Sequence, residues 1–287
     1  MESSYSCTDR GSLNQSSHDS GLYISPEIVK RYHQWFETYV NSFLSHNSSD
    51  ENILLKREHT LNVVKEMQYL TKSLDMPHIE ALARLVALFH DIGRFRQYAR
   101  FGTFADRDSV NHAHEGIRVL KQEGILAKLS SYQTRIILTA IAQHNRVHIR
   151  TRREPYRLFC KLIRDADKLD IYRLVLDYYE RSEKEKRNSG IELDLPDIPE
   201  VSSHIIEKIM CREPVNYHEL CTVNDFKLVQ AAWIYDLNFP ASLQRVFKQR
   251  YVPRLMATIG ESRETRKLYS RLQGDLIELM NKKRAVL

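Results

Sequence analysis

The segment Ala87-Leu88-Phe89-His90-Asp91-Ile92-Gly93-Arg94 constrains this chain more than any other. Ile79, Leu82, Val86 and His90 recur at helical spacing, with Leu85 and Phe89 beside them. The pattern predicts an apolar helix that delivers an adjacent imidazole and carboxylate at its C-terminal end. Gly93 would then take the left-handed turn that stops it. Such groups at a buried helix end carry a desolvation cost unless something pairs with them. A divalent metal is the strongest such partner, because neutral imidazole and carboxylate are its usual nitrogen and oxygen ligands. A lone His-Asp pair is common, so other residues must converge on this one.

The periodicity elsewhere is helical throughout. Residues 1 to about 22 are Ser-rich and polar and read as a disordered tail. Ser25-Pro26 starts a helix through Trp35, Phe36, Tyr39 and Phe43. A second helix, about 51 to 73, carries Leu55, His59, Val63, Met67 and Leu70 on one stripe. Pro77 opens the helix that ends at His90-Asp91. Residues 94 to 110 alternate arginines with aromatics and read as a long functional loop. Further helices are expected from near Asn111, carrying His112, Gly116, Val119 and Leu120 on one face, over about 130–144, and from Pro155 to about 180. The last carries Cys160, Ile163, Asp167, Ile171 and Leu174 on its stripe. A charged loop at 181–190 and an extended segment at 194–199 precede helices at about 200–212, 222–238, 240–258 and 261–283. Their stripes include Val229, Trp233, Leu237, Leu243, Val246 and Phe247. The expectation is an all-α protein: a helical core over 23–180, with C-terminal helices over 181–287 packed on the same domain.

Composition narrows the partners. The 287 residues carry a formal net charge of +6, which favours anions such as phosphate esters, nucleotides or nucleic acid. Nine glycines and eight prolines are too few for a turn-rich all-β fold. Cys7, Cys160, Cys211 and Cys221 form no Cys-x-x-Cys pair, and Cys160 sits in an apolar helix, consistent with a reducing compartment. The N-terminus has no apolar run, and no apolar stretch is long enough to span a bilayer, so a cytoplasmic location is expected.

His59, His90, His112, His144 and Asp167 each fall on the apolar side of a different expected helix, and Asp91 follows His90 directly. Four imidazoles and two carboxylates directed into one helical core call for a positive centre. Side chains converging from facing helices are how helical proteins build metal sites.

The pattern His59 … His90-Asp91 … Asp167 resembles the signature of the HD superfamily of metal-dependent phosphohydrolases. His90-Asp91-Ile92-Gly93-Arg94 is similar to its His-Asp-x-Gly-Lys segment, with Arg for Lys. Ala166-Asp167-Lys168-Leu169-Asp170 is similar to its Ala-Asp-Lys-Leu-Asp segment. His112-Ala113-His114-Glu115-Gly116 is similar to the His-x-x-x-Gly segment of members that hold two metals, and His144 falls where they place another His. The match spans about residues 55 to 180.

The resemblance implies an HD-type helical bundle in which His59, His90, Asp91 and Asp167 hold a first metal. Asp91 would bridge to a second, held by His112 and His144, with His114 the rival for His112. Mn, Fe, Mg or Zn would all suit these ligands. Arg94, and Lys168 if it reaches the site, would stabilise phosphate charge. The implied activity is hydrolysis of a nucleotide or other small phosphate ester by metal-activated water. Two departures limit the substrate. Asn145-Arg146-Val147-His148 stands where the cyclic-dinucleotide branch has Gly-Tyr-Pro, and Gly93-Arg94-Phe95-Arg96 stands where the alarmone branch has Glu-Asp. The rivals are a di-iron oxygenase of this fold, and a non-catalytic module that binds a nucleotide or RNA through the basic loops 94–107 and 146–153.

Overall fold

A computed structural model describes residues 21–44, 50–181 and 187–284. The expected tail up to residue 20, with Cys7, residues 45–49 and residues 182–186 of the expected 181–190 loop lie outside the described residues. No strand occurs among the described residues, and the fold is all-α. Helix α1 (Pro26–Asn41) follows Leu22 and Ile24, which are themselves buried in the core. Ser25 occupies the N-cap position without a capping side-chain bond, and Pro26 supplies the preset first turn. Tyr32, Phe36 and Tyr39 of α1 are buried on its inner face. Tyr32 packs edge-on to Phe89, and Phe36 to Phe95.

The core is a bundle of α2 (Asp50–Ser73), α3 (Glu80–Phe89), α4 (Ile92–Phe101), α5 (His112–Gln122), α6 (Ser131–His144) and α7 (Tyr156–Tyr179). Helix α2 packs on α3 and α7, α4 on α5, and α6 on α7, with α3 against α6 and α7. Met67, Leu82, Leu85, Phe89, Ile141, Phe159 and Cys160 are fully buried between them. Ser130 and Gln133 form a capping box that fixes the start of α6.

The 94–110 stretch is not a long loop. Its first part is α4, whose Ile92 and Phe95 are buried and whose Tyr98 is half-buried one turn on. The left-handed residue that ends this helix is Gly102 (φ 67°), whose N–H bonds to the Tyr98 carbonyl at 2.8 Å. Gly93 lies inside the first turn of α4 and serves a different purpose. A Cβ there would stand 2.3 Å from the His112 carbonyl oxygen and 2.4 Å from the Gly116 nitrogen. Only a glycine lets α4 approach α5 this closely.

The C-terminal helices are α8 (Ser189–Glu192), α9 (Ser203–Met210), α10 (Val223–Ala232), α11 (Pro240–Lys248), α12 (Tyr251–Ala257) and α13 (Arg263–Arg284). The continuous helix expected over 240–258 is broken at Arg250, which is left-handed (φ 54°). Pro253 explains the break: within one helix its ring would clash with the Gln249 carbonyl, whereas in the first turn of α12 it is tolerated. Phe247, placed on the apolar stripe by its spacing, is 51% exposed.

Asp165 ties these helices to the core. Fully buried on α7, it accepts bonds from the backbone of Asn238 and Phe239, the Asn238 amide and the Ser242 hydroxyl, at 2.6–3.0 Å. Burial raises its pKa, and these donors counter the rise. Replacing Asp165 by Ala strands several buried donors. A loss of about 3 kcal/mol or more in unfolding free energy is expected, read by denaturant titration.

Candidate metal centre

The five sequence-predicted helices converge their polar side chains at one point. His59 comes from α2, His90 from the end of α3, His112 from the start of α5, His144 from the end of α6 and Asp167 from α7. Asp91 caps α4 in their midst. All except Asp167 are buried. His59, His90 and Asp91 present ligand atoms within one group, and Asp91, His112 and His144 within another, so Asp91 belongs to both. Asp167 Oδ1 is 3.1 Å from His59 Nε2 and 3.7 Å from His90 Nε2, which adds it to the first group. Asp91 Oδ1 is 3.5 Å from His112 Nε2 and 3.6 Å from His144 Nε2. Its Oδ2 is 3.8 Å from His59 Nε2 and 3.7 Å from His90 Nε2. Donors held about 2.1 Å from one ion stand roughly 3.0–3.4 Å apart, which is close to these separations.

Each imidazole is oriented from behind through Nδ1. His90 donates to the Ala87 carbonyl at 2.7 Å and His144 to the Ile141 carbonyl at 2.8 Å. A carbonyl only accepts, so both Nδ1 atoms carry the proton and both Nε2 atoms face inward with a lone pair. Asp170 holds His59 at 2.8 Å and Asp106 holds His112 at 2.7 Å. Supporting carboxylates of this kind are characteristic of metal-binding histidines.

The electrostatics favour a cation. His90 Nε2 is buried with no hydrogen-bond partner. His112 Nε2 and His144 Nε2 face each other at 3.0 Å. Burial and Arg94 lower His112 to about 3 against the pull of Asp106, so it is neutral. Burial opposes charge on His59, but the Asp167 and Asp170 carboxylates outweigh it and raise the imidazole to about 9. Burial alone would push the Asp91 carboxyl up; Lys56, His90 and Arg94 hold it well below the usual range. Two ionised carboxylates therefore face the neutral His112 in a buried site, and a metal ion would displace the proton that Asp167 and Asp170 hold on His59. The donor set fits divalent metal.

The remaining expected residues divide. Arg94 lies at the centre, with Nε 3.5 Å from Asp91 Oδ1 and Nη1 3.0 Å from Asp106 Oδ1. Its Nε has no hydrogen-bond partner. Lys168 is not brought to the cluster. Its ammonium pairs with Asp236 at 2.8 Å and lies over the Trp233 ring, which turns it toward the C-terminal helices. His114 is exposed on the outer side of α5 and belongs to neither group.

Four residues escaped the sequence reading: Lys56, Asp106, Asp170 and Tyr217. Lys56 places Nζ 2.9 Å from Asp91 Oδ2, and Asp106 and Asp170 orient histidines. Lys56 stands three residues before His59 and Asp170 three after Asp167, so helical spacing alone pointed to both. Tyr217, from the turn Tyr217–Glu219, overhangs the site. The residue is half exposed, and burial with the charges of Asp167 and Asp236 pushes its hydroxyl up to about 12.

A family model described as the HD domain matches residues 57–172, a span that contains His59, His90, Asp91, His112, His144 and Asp167. No curated protein and no solved structure gives a significant match. No helix among the described residues is long and apolar enough to cross a membrane. Residues 57–172 are therefore similar to the HD domain, and the helices after that span have no match.

Proposed function

We propose that this chain hydrolyses a phosphate ester, a nucleotide or another small phosphorylated molecule, at a two-metal centre bridged by Asp91. The observation that carries the reading is that Asp91 belongs to both ligand groups while Lys56 and Arg94 reach it from the outside. His59, His90, Asp91 and Asp167 would hold one ion, and Asp91, His112 and His144 the other. When bound, such ions supply Lewis acidity, lowering the pKa of water and neutralising phosphoryl charge.

The chain's own residues do the rest. Lys56 and Arg94 are cations at the rim of the cluster, 19% and 16% exposed, so each can turn from Asp91 to a phosphoryl oxygen. Asp106 fixes His112 and Arg94 together through its carboxylate, which keeps the second ligand group and the guanidinium in register. Burial of the imidazoles excludes bulk water and strengthens each of these interactions.

The test is phosphate release from a panel of nucleotides and phosphomonoesters and diesters with added Mn²⁺, comparing wild type with Asp91→Ala. Turnover by the wild type that disappears in the variant is the expected result. A panel with no turnover, on protein that binds metal, would overturn the hydrolase reading.

A further inference from the structure

Beside the metal centre lies a second feature that the hydrolytic reading does not use. A cavity of about 210 Å³ is lined by Val147, His148, Arg157, Lys161, Arg164 and Asp236, among others. Arg157, Lys161, Arg164 and Lys168 recur at helical spacing on α7, one face of basic groups leading to Asp167 and the cluster.

The charge in this cavity is unbalanced. Asp236 is its one lining carboxylate, and it is already paired with Arg164 at 2.5 Å and Lys168 at 2.8 Å. Arg157 and Lys161 have no carboxylate partner among the described residues. Lys283 stands near enough to be repelled by Lys161. Arg164 is 4% exposed. It donates to the carbonyls of His144, Arg146 and Val147, yet its Nε has no partner. With Arg164 held by these carbonyls and Asp236, Arg157 and Lys161 are the lining cations left to face the open cavity. Cations collected in a cavity without matching carboxylates are an anion site.

The cavity also connects to the catalytic centre. Arg164 holds the carbonyl of the metal-site residue His144 at 3.3 Å. The Tyr217 hydroxyl stands near enough to both Asp167 and Asp236 for their charges to act on it. Lys161 precedes Asp167 by six residues, about 9 Å along the helix. A single phosphate does not span that separation, and neither does a compact pyrophosphate.

We propose that the cavity is a second phosphate subsite, and that the substrate of the metal centre is a small molecule carrying two separated phosphate groups. One would sit at the cluster and the other between Arg157, Lys161 and Arg164. This rests on the hydrolase reading for the fate of the first phosphate only; the subsite is tested by binding.

The experiment compares adenosine 3′,5′-bisphosphate with adenosine 5′-monophosphate by calorimetry, on the full chain loaded with Ca²⁺. Phosphate release with Mn²⁺ is measured separately. Wild type should bind the bisphosphate at least tenfold more tightly. The R157Q/K161Q double variant should lose that advantage, and Lys161→Arg should keep it. Arg157 is exposed and Lys161 half-buried, so both proteins should fold, which thermal melting checks. Three results overturn the proposal: no advantage in the wild type, an advantage that survives in the double variant, or an advantage seen only with a short oligoribonucleotide. Retention of the binding pattern without phosphate release would remove the hydrolase reading while supporting the subsite.

Discussion

Asp91→Ala is expected to lower phosphate release by at least about 10³-fold while leaving the fold in place. Loss of one charge-stabilising donor from an enzyme site commonly costs about 10²–10³ in rate. Asp91 serves both ligand groups, so its removal affects two such interactions at once. The effect on stability should be much smaller. Lys56 and Arg94 lose their carboxylate, but at 19% and 16% exposed they can turn to water and avoid the full cost of a buried unpaired charge. The variant should therefore melt cooperatively near the wild type in chelator, with native circular dichroism. Collapse of the fold would instead make Asp91 chiefly a structural counter-ion to two cations.

Gly93→Ala is expected to damage the site without touching a ligand. In a helix interior, alanine is favoured over glycine by about 1 kcal/mol. Here the new Cβ meets backbone at 2.3 and 2.4 Å, and backbone cannot turn aside as a side chain can. Overpacking costs about 1–3 kcal/mol and sometimes more, so the steric effect outweighs the propensity gain. The contacted atom belongs to His112 itself, so separating α4 from α5 moves that imidazole away from Asp91. The variant should lose about 2 kcal/mol or more in denaturant titration and bind metal more weakly. Gly274→Ala is the control: a Cβ there meets nothing within 4 Å, and that substitution should be neutral or stabilising. Equal behaviour of the two variants would contradict the role assigned to Gly93.

The helical class and the convergence of these side chains were legible because burial and period coincide. His59, His90, His112 and His144 sit on apolar stripes, and each stripe faces the same core. Helix α4 was not legible as a helix. Its buried face is narrow, and its arginines find partners that sequence does not show: Asp91 and Asp106 for Arg94, Glu115 and Gln122 for Arg96. The helix-ending role expected of Gly93 falls to Gly102 for a related reason. A left-handed C-cap and a close helix approach both demand glycine, and only the position of α5 tells them apart. Lys168 turns away from the cluster because its partner Asp236 lies 68 positions on, in a turn before α11 that carries no motif. The break at Arg250, by contrast, was available from Pro253.

The shared carboxylate is tested most directly by Mn²⁺ stoichiometry on the full chain, measured by equilibrium dialysis for wild type, His112→Ala and Asp91→Ala. A centre bridged by Asp91 requires two ions per chain in the wild type, one in His112→Ala and weakened binding of both in Asp91→Ala. A single ion in the wild type, or two ions unaffected by loss of Asp91, would contradict it.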